Sequence, residues 1–195
     1  MHILLLAGSP SSPSRSTRLL HHIGDKLALL GHRYVKLQVR DLPAQALLHA
    51  DFGNADLKLA QGLVQQADAV VIATPVYKAA YSGILKAFLD VLPQDGLAGK
   101  LVLPLATGGS QSHMLALDYA LRPVLTALNA RHVLPGIFTT DAQIGWTPEH
   151  GLSIDTGIAQ RIMQGVEQLS ASLLALQEAT ISFHAVPFSQ VRCSV

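Results

Sequence analysis

Short apolar runs alternate along the chain with segments whose apolar residues recur at helical spacing. His2 to Ala7 reads HILLLA, nearly continuous in the manner of a strand covered on both faces. After a Gly/Ser/Pro stretch, Leu19, Leu20, Ile23, Leu27 and Leu30 follow the 3.6-residue period, with Ser16 or Thr17 as cap of the helix they predict. Arg33 to Val39 predicts a second strand. A helix opening at Asn54 would bury Leu57, Ala60, Leu63, Val64 and Ala67. Ala69 to Thr74, AVVIAT, is a third strand. Ser82 then caps a helix burying Ile84, Leu85, Phe88, Leu89 and Leu92, which Pro93 stops. Leu101 to Thr107 and Val133 to Phe138 predict the fourth and fifth strands, separated by a helix from Ser112 to Asn129. The last helix starts near Asp155 and presents Ile158, Ile162, Val166, Leu169, Leu173 and Leu176 on one face.

Strands and helices in strict alternation imply a parallel sheet with helices on both faces, because parallel strands need crossover connections. Five strands suit a flavodoxin-like sheet ordered 2-1-3-4-5 or a truncated Rossmann sheet. Pro104 and Pro135 resist, since each removes a ladder donor inside a predicted strand; an edge position would accommodate Pro135. With no repeat, linker or low-complexity stretch, residues 1–180 read as one domain and 181–195 as a tail.

Composition narrows the partners. Of 195 residues, 49% are hydrophobic and 14% charged, which suits a globular chain with a large buried sheet. A net charge of +1 without a basic run argues against nucleic acid. No apolar run approaches the ~20 residues of a membrane span, and the N-terminal run lacks the flanks of a secretory signal. The one cysteine, Cys193, has no internal disulfide partner, so a reducing cytoplasm is the expected setting.

Ligands of open parallel sheets bind beyond the carboxyl ends of the strands, where strand order reverses. In the 2-1-3-4-5 order this joins the loops after strands one and three. The first, Gly8 to Arg18, reads GSPSSPSRSTR and leads into a helix. Unpaired N–H groups, the helix dipole, hydroxyls and the guanidinia of Arg15 and Arg18 would together suit a phosphate; an ordinary capping turn would look the same. The loop lacks both GxGxxG and GxxxxGK[ST], which points to a mononucleotide rather than a dinucleotide or triphosphate. The second loop, Thr74 to Gly83, reads TPVYKAAYSG, with tyrosines where solvent-facing loops are polar; a flat heterocycle or simple packing would explain them. A third, Thr107 to Ser110, reads TGGS, whose glycines permit close backbone approach to a ring.

GSPSSPSRS, ATPVYKAAYSG and LPLATGGS followed by HMLALDYALRPVL resemble the NADPH-dependent FMN reductases, particularly those of two-component alkanesulfonate monooxygenase systems. The resemblance covers roughly residues 1–140 and weakens from Thr147. It implies the flavodoxin-like five-stranded sheet, FMN and NADPH as substrates, and reduced flavin handed to a partner monooxygenase in sulfur scavenging. It implies a homodimer or homotetramer too. By motif, Ser9, Ser14, Arg15 and Ser16 would hold the phosphate. Pro75, Val76, Tyr77 and Lys78 would line the flavin, and Thr107, Gly108, Gly109 and Ser110 its pyrimidine side. Ser11 stands where the broad family pattern has arginine, which shifts charge compensation to Arg15.

The helix over 112–129 carries a defect visible without any resemblance. Pro123 cannot donate to the carbonyl four residues back, that of Tyr119, so the chain must kink or form a π-bulge. In the resembling reductases a tyrosine at the matching position forms a π-helix at a subunit interface and is linked to flavin release, which gives Tyr119 that expected role. None of the nine histidines has metal-ligand spacing. The rival readings are a quinone or azo reductase that retains its flavin, and a flavodoxin-type electron carrier.

Overall fold

The computed structural model describes residues 1–182, with side chains through 177. Nine strands are described: β1 His2–Ala7, β2 Arg33–Gln38, β3 Ala69–Tyr77, β4 Ala80–Tyr81, β5 Leu101–Gly108, β6 His132–Val133, β7 Ile137–Thr140, β8 Ile144–Thr147 and β9 Gly151–Ile154. The helices are α1 Arg15–Leu29, α2 Ala44–Leu48, α3 Ala55–Gln66, α4 Gly83–Asp90, α5 Arg122–Ala127 and α6 Thr156–Ser182. β2, β1, β3 and β5 pair in parallel, and both β6 and β7 pair with β5. The 2-1-3-4-5 order of a flavodoxin-like sheet is therefore present, with its fifth position split in two.

The split has a cause. Val133 to Phe138 was expected as one strand, but Pro135 falls in the gap between β6 and β7, at the sheet edge where a missing donor costs least. Pro104 stays inside β5, opposite Ile72 of β3. Strand β5 is buried over its whole length and β3 over its first six residues, as their continuous apolar runs predict.

Alternate residues of the strands feed two cores. One face of β1, β3 and β5 packs Leu4, Leu6, Val70, Ile72 and Val102 against α3 and α4 through Leu57, Val64, Leu85 and Phe88. The other packs Ile3, Leu5, Val71 and Leu103 against α1 and α6 through Leu19, Ile23, Ile162 and Val166. Leu30 and Leu176 depart from expectation: both are exposed, and Leu30 stands past the end of α1 as its C-cap. The cap of α1 is Ser14, whose Oγ accepts from Thr17 N at 3.2 Å, and not Ser16 or Thr17, which are buried. Asn54, where the sequence opens a helix, is the cap of α3, and Ser82 caps α4 as read from the sequence.

Several further elements escaped the sequence reading. A 3-10 turn over Val39–Asp41 and the short α2 follow β2. The chain from Thr74 to Gly83 is no plain loop: β3 runs on to Tyr77, and Lys78 and Ala79, both at positive φ, turn it back into β4. After β7, strands β8 and β9 form a separate antiparallel hairpin. The tail from residue 183, with Cys193, lies outside the described residues. Among the described residues no helix is long and apolar enough to cross a membrane, and no group of His, Cys, Asp and Glu could hold a metal ion.

Ser82 links these parts. Its Oγ accepts from Leu85 N at 3.3 Å and donates to the Gly8 carbonyl, while its N–H donates to Thr74 Oγ1 at 3.0 Å. Ser82→Ala should lower stability by about 1–3 kcal/mol, since it removes a cap and leaves a buried carbonyl unpaired. The midpoint of urea unfolding measures this, and a wild-type midpoint would mean that these bonds add no net stability.

Candidate active site at the carboxyl edge of the sheet

Three chain segments converge where β1, β3 and β5 end. They enclose a cleft of about 190 Å³ lined by Ser9, Ser14, Arg15, Ser16, Pro75, Val76, Tyr77, Thr107, Gly108 and Gly109, together with Ser11, Pro13 and Asp141. Ten of the twelve residues expected to bind a ligand thus share one cleft. Lys78 and Ser110 lie outside this lining. Lys78 occupies the exposed turn between β3 and β4, and the Ser110 Oγ accepts from Ser112 N at 3.2 Å, capping a short 3-10 turn.

One wall is the loop into α1. Gly8 is needed there for space: a Cβ on it would stand 2.8 Å from Leu85 Cβ. Ser9 and Ser16 are buried at the base, and Ser14 Oγ lies 3.0 Å from Ser16 Oγ. Their hydroxyls thus cluster over the first turn of α1, where backbone N–H groups lack helical partners. Two residues missed in the sequence complete this wall. Arg40, in the 3-10 turn after β2, donates to the Ser11 carbonyl and to Gln38 Oε1 at 2.7 Å, bracing the loop from outside. Asp141, just past β7, holds Arg15 with a 3.5 Å ion pair, both side chains about half exposed. Neither has a local signal; each depends on where β2 and β7 end.

The opposite wall is the β3–β4 hairpin and the end of β5. Thr74, fully buried, accepts from Ser82 N and donates to the Pro75 carbonyl at 2.9 Å, fixing where the hairpin leaves the sheet. Tyr77 is 47% exposed at the cleft, enough to offer a ring edge to a ligand. Tyr81 behind it is half-buried, and burial raises its phenol above the usual tyrosine range, so it stays neutral. At the end of β5, a Cβ on Gly108 would press on Phe138 at 3.1 Å, whereas one on Gly109 would meet nothing within 4 Å. Gly109 therefore leaves open space at the cleft mouth.

Tyr119 does not line the cleft. It sits in a π-helical turn, Leu117–Leu121, closed by Arg122 N–H donating to the Leu117 carbonyl five residues back. The single helix expected from Ser112 to Asn129 is broken here into a 3-10 turn, the π turn and α5. The π turn abuts β4, the outer arm of the hairpin. Tyr119 is 79% exposed, so the described residues cover little of it.

Residues 1–145 match the family described as NADPH-dependent FMN reductase. An FMN reductase (NADPH) of Pseudomonas putida is 51% identical over 146 residues, 75% of this chain and 74% of that protein. One of Escherichia coli K12 is 46% identical over 165 residues, covering 81% and 86%. Among solved structures, the apo form of an NADH:FMN oxidoreductase superposes with a TM-score of 0.80 at 39% identity, covering 88% and 89% of the two chains.

The open space at Gly109 yields a test. Gly109→Val should fill the cleft mouth without touching the core, so FMN binding should weaken at least tenfold, about 1.4 kcal/mol, while the unfolding midpoint stays put. Wild-type affinity in this variant would move the ligand elsewhere.

Proposed function

We propose, since this chain belongs to the NADPH-dependent FMN reductase family, that the cleft at the carboxyl edge of the sheet is where FMN binds and takes hydride from NADPH. The observation that carries this is the convergence of the three loops on one cleft at the strand-order reversal, where ligands of such sheets bind. The residues fit a flavin mononucleotide. Hydroxyls and an arginine stand at a helix N-terminus for a phosphate, and backbone without a side chain stands at Gly109 for a ring. Bound FMN supplies the redox chemistry, accepting two electrons and passing them on.

The protein's own part is binding and alignment. Ser9, Ser14, Ser16 and Arg15 hold the phosphate. Asp141 keeps Arg15 beside the loop while leaving half of its side chain accessible. Pro75, Val76 and Tyr77 flank the flavin, and the backbone of Thr107, Gly108 and Gly109 approaches its pyrimidine side. Polar N–H groups there would stabilise negative charge as it develops on the reduced ring.

Reduced flavin then leaves for a partner monooxygenase, in keeping with the resemblance to the alkanesulfonate-system reductases. The chain works as a homodimer or homotetramer, with Tyr119 at the boundary between subunits, governing release. Its exposure and its place in a π turn beside the hairpin support this role.

Steady-state NADPH oxidation with FMN, FAD, riboflavin and a quinone as acceptors tests the reading; a clear preference for the quinone would favour a flavin-retaining reductase instead. Arg15→Ala should weaken FMN binding by roughly 1–3 kcal/mol and leave riboflavin, which has no phosphate, nearly unaffected. Equal losses for both would remove Arg15 from the phosphate site. Deleting Tyr119 should restore regular helical spacing ahead of Pro123 and give protein that purifies yellow with slower turnover of free FMN. A colourless variant with wild-type turnover would leave Tyr119 no part in release.

A further inference from the structure

A second, larger cleft of about 490 Å³ opens beside the first and shares Pro13, Ser14, Arg15 and Asp141 with it. Its far wall is the β8–β9 hairpin, which contributes Ile144, Trp146 and Leu152. Trp146 lies just past the segment that matches the family, residues 1–145. Facing it from α1 is Arg18, whose guanidinium carbon stands 4.0 Å from the centre of the Trp146 ring. That distance is a close cation–π contact. A guanidinium held over an aromatic ring keeps its full charge and its N–H donors for an anion. Among the described residues Arg18 has no carboxylate partner. Two guanidinia and one carboxylate line the cleft, so its charge is positive. Trp146 remains 46% exposed, which leaves indole surface for a planar heterocycle.

We propose that this cleft holds the 2′-phosphoadenosine half of NADPH, with the Arg18 fork on the 2′-phosphate and the adenine against Trp146. The inference rests on the reductase reading above, because a ligand spanning both clefts must be a dinucleotide whose other end reaches the flavin. Three features select this occupant. The cleft continues from the phosphate loop, as an extended substrate requires. It pairs an aromatic surface with an unneutralised guanidinium, as a phosphorylated nucleoside requires. Its Arg18 and Trp146 wall lies outside the FMN cleft, so the two substrates need not exclude each other.

Trp146 is the only tryptophan in the chain, so intrinsic fluorescence reports on this cleft directly. Adenosine 2′,5′-bisphosphate should alter that fluorescence saturably and bind at least tenfold more tightly than 5′-AMP. Arg18→Ala should erase most of the difference between the two nucleotides and lower the ratio of kcat/KM for NADPH over NADH at least tenfold. Trp146→Leu, followed by calorimetry, should weaken both nucleotides. Equal binding of the two nucleotides to the wild type, or no binding of either, overturns the proposal. So does an Arg18→Ala variant that keeps the wild-type NADPH-to-NADH ratio. Failure of the reductase reading looks different: the wild type would not oxidise NADPH with FMN, whatever the nucleotides do to Trp146.

Discussion

Ser82 carries three hydrogen bonds: to the Gly8 carbonyl, 74 positions away, and nearer in sequence to Leu85 N–H and Thr74 Oγ1. Gly8 follows β1, Thr74 lies in β3, and Leu85 lies in the first turn of α4. A single buried hydroxyl and its own N–H thus fix the distance between the loop into α1 and the β3–β4 hairpin, the two walls of the smaller cleft. The packing agrees with the bonding, for Gly8 rests so close to Leu85 that no side chain fits between them. Shifting any of these groups would alter the width of the cleft, since Tyr77 and Ser14 hang from the same frame. A loop-built site gains rigidity from such cross-links, and rigidity is what holds a ligand in one orientation.

The fold was largely legible because its signals are short-range. Continuous apolar runs for β1, β3 and β5 and helical spacing for α1, α3 and α6 follow from burial on both faces or one. Caps at Asn54 and Ser82 were readable since a side chain needs only its own next turn. What escaped depends on contacts across the chain. Extension of β3 to Tyr77 requires β4 to pair with it, and the turn needs Lys78 and Ala79 at positive φ, which neither residue type announces. The β8–β9 segment IGWTPEHGLSI has a proline and few alternating apolar positions, so its pairing shows only in three dimensions.

The candidate site divides along the same line. Arg15, Tyr77 and Gly109 stand out in loops of unusual composition at predicted strand ends, and the family resemblance adds Ser9. The same resemblance brought in Lys78 and Ser110, but the tight turn carries one outward and capping occupies the other. Arg40, Asp141, Arg18 and Trp146 act through partners 29, 126 or 128 positions away, respectively, taking Arg18 and Trp146 as one pair. No local pattern marks such pairs; the sheet's topology brings them together.

The broken helix around Tyr119 shows how one proline reshapes a segment. A regular helix from Ser112 would place Pro123 well inside it, losing a hydrogen bond and clashing with the carbonyl of Tyr119, at a cost of about 3 kcal/mol. The π turn moves that problem. Once five-residue spacing closes the turn at Arg122, α5 starts there, and Pro123 falls in its first turn, where an N–H has no helical partner anyway. The proline is therefore no defect within α5; what it demands is the wide turn before it. Tyr119, in the middle of that turn and beside the hairpin, is 79% exposed while Leu117, Leu121 and Leu125 face the core, and any role of Tyr119 at a neighbouring subunit begins from that exposure.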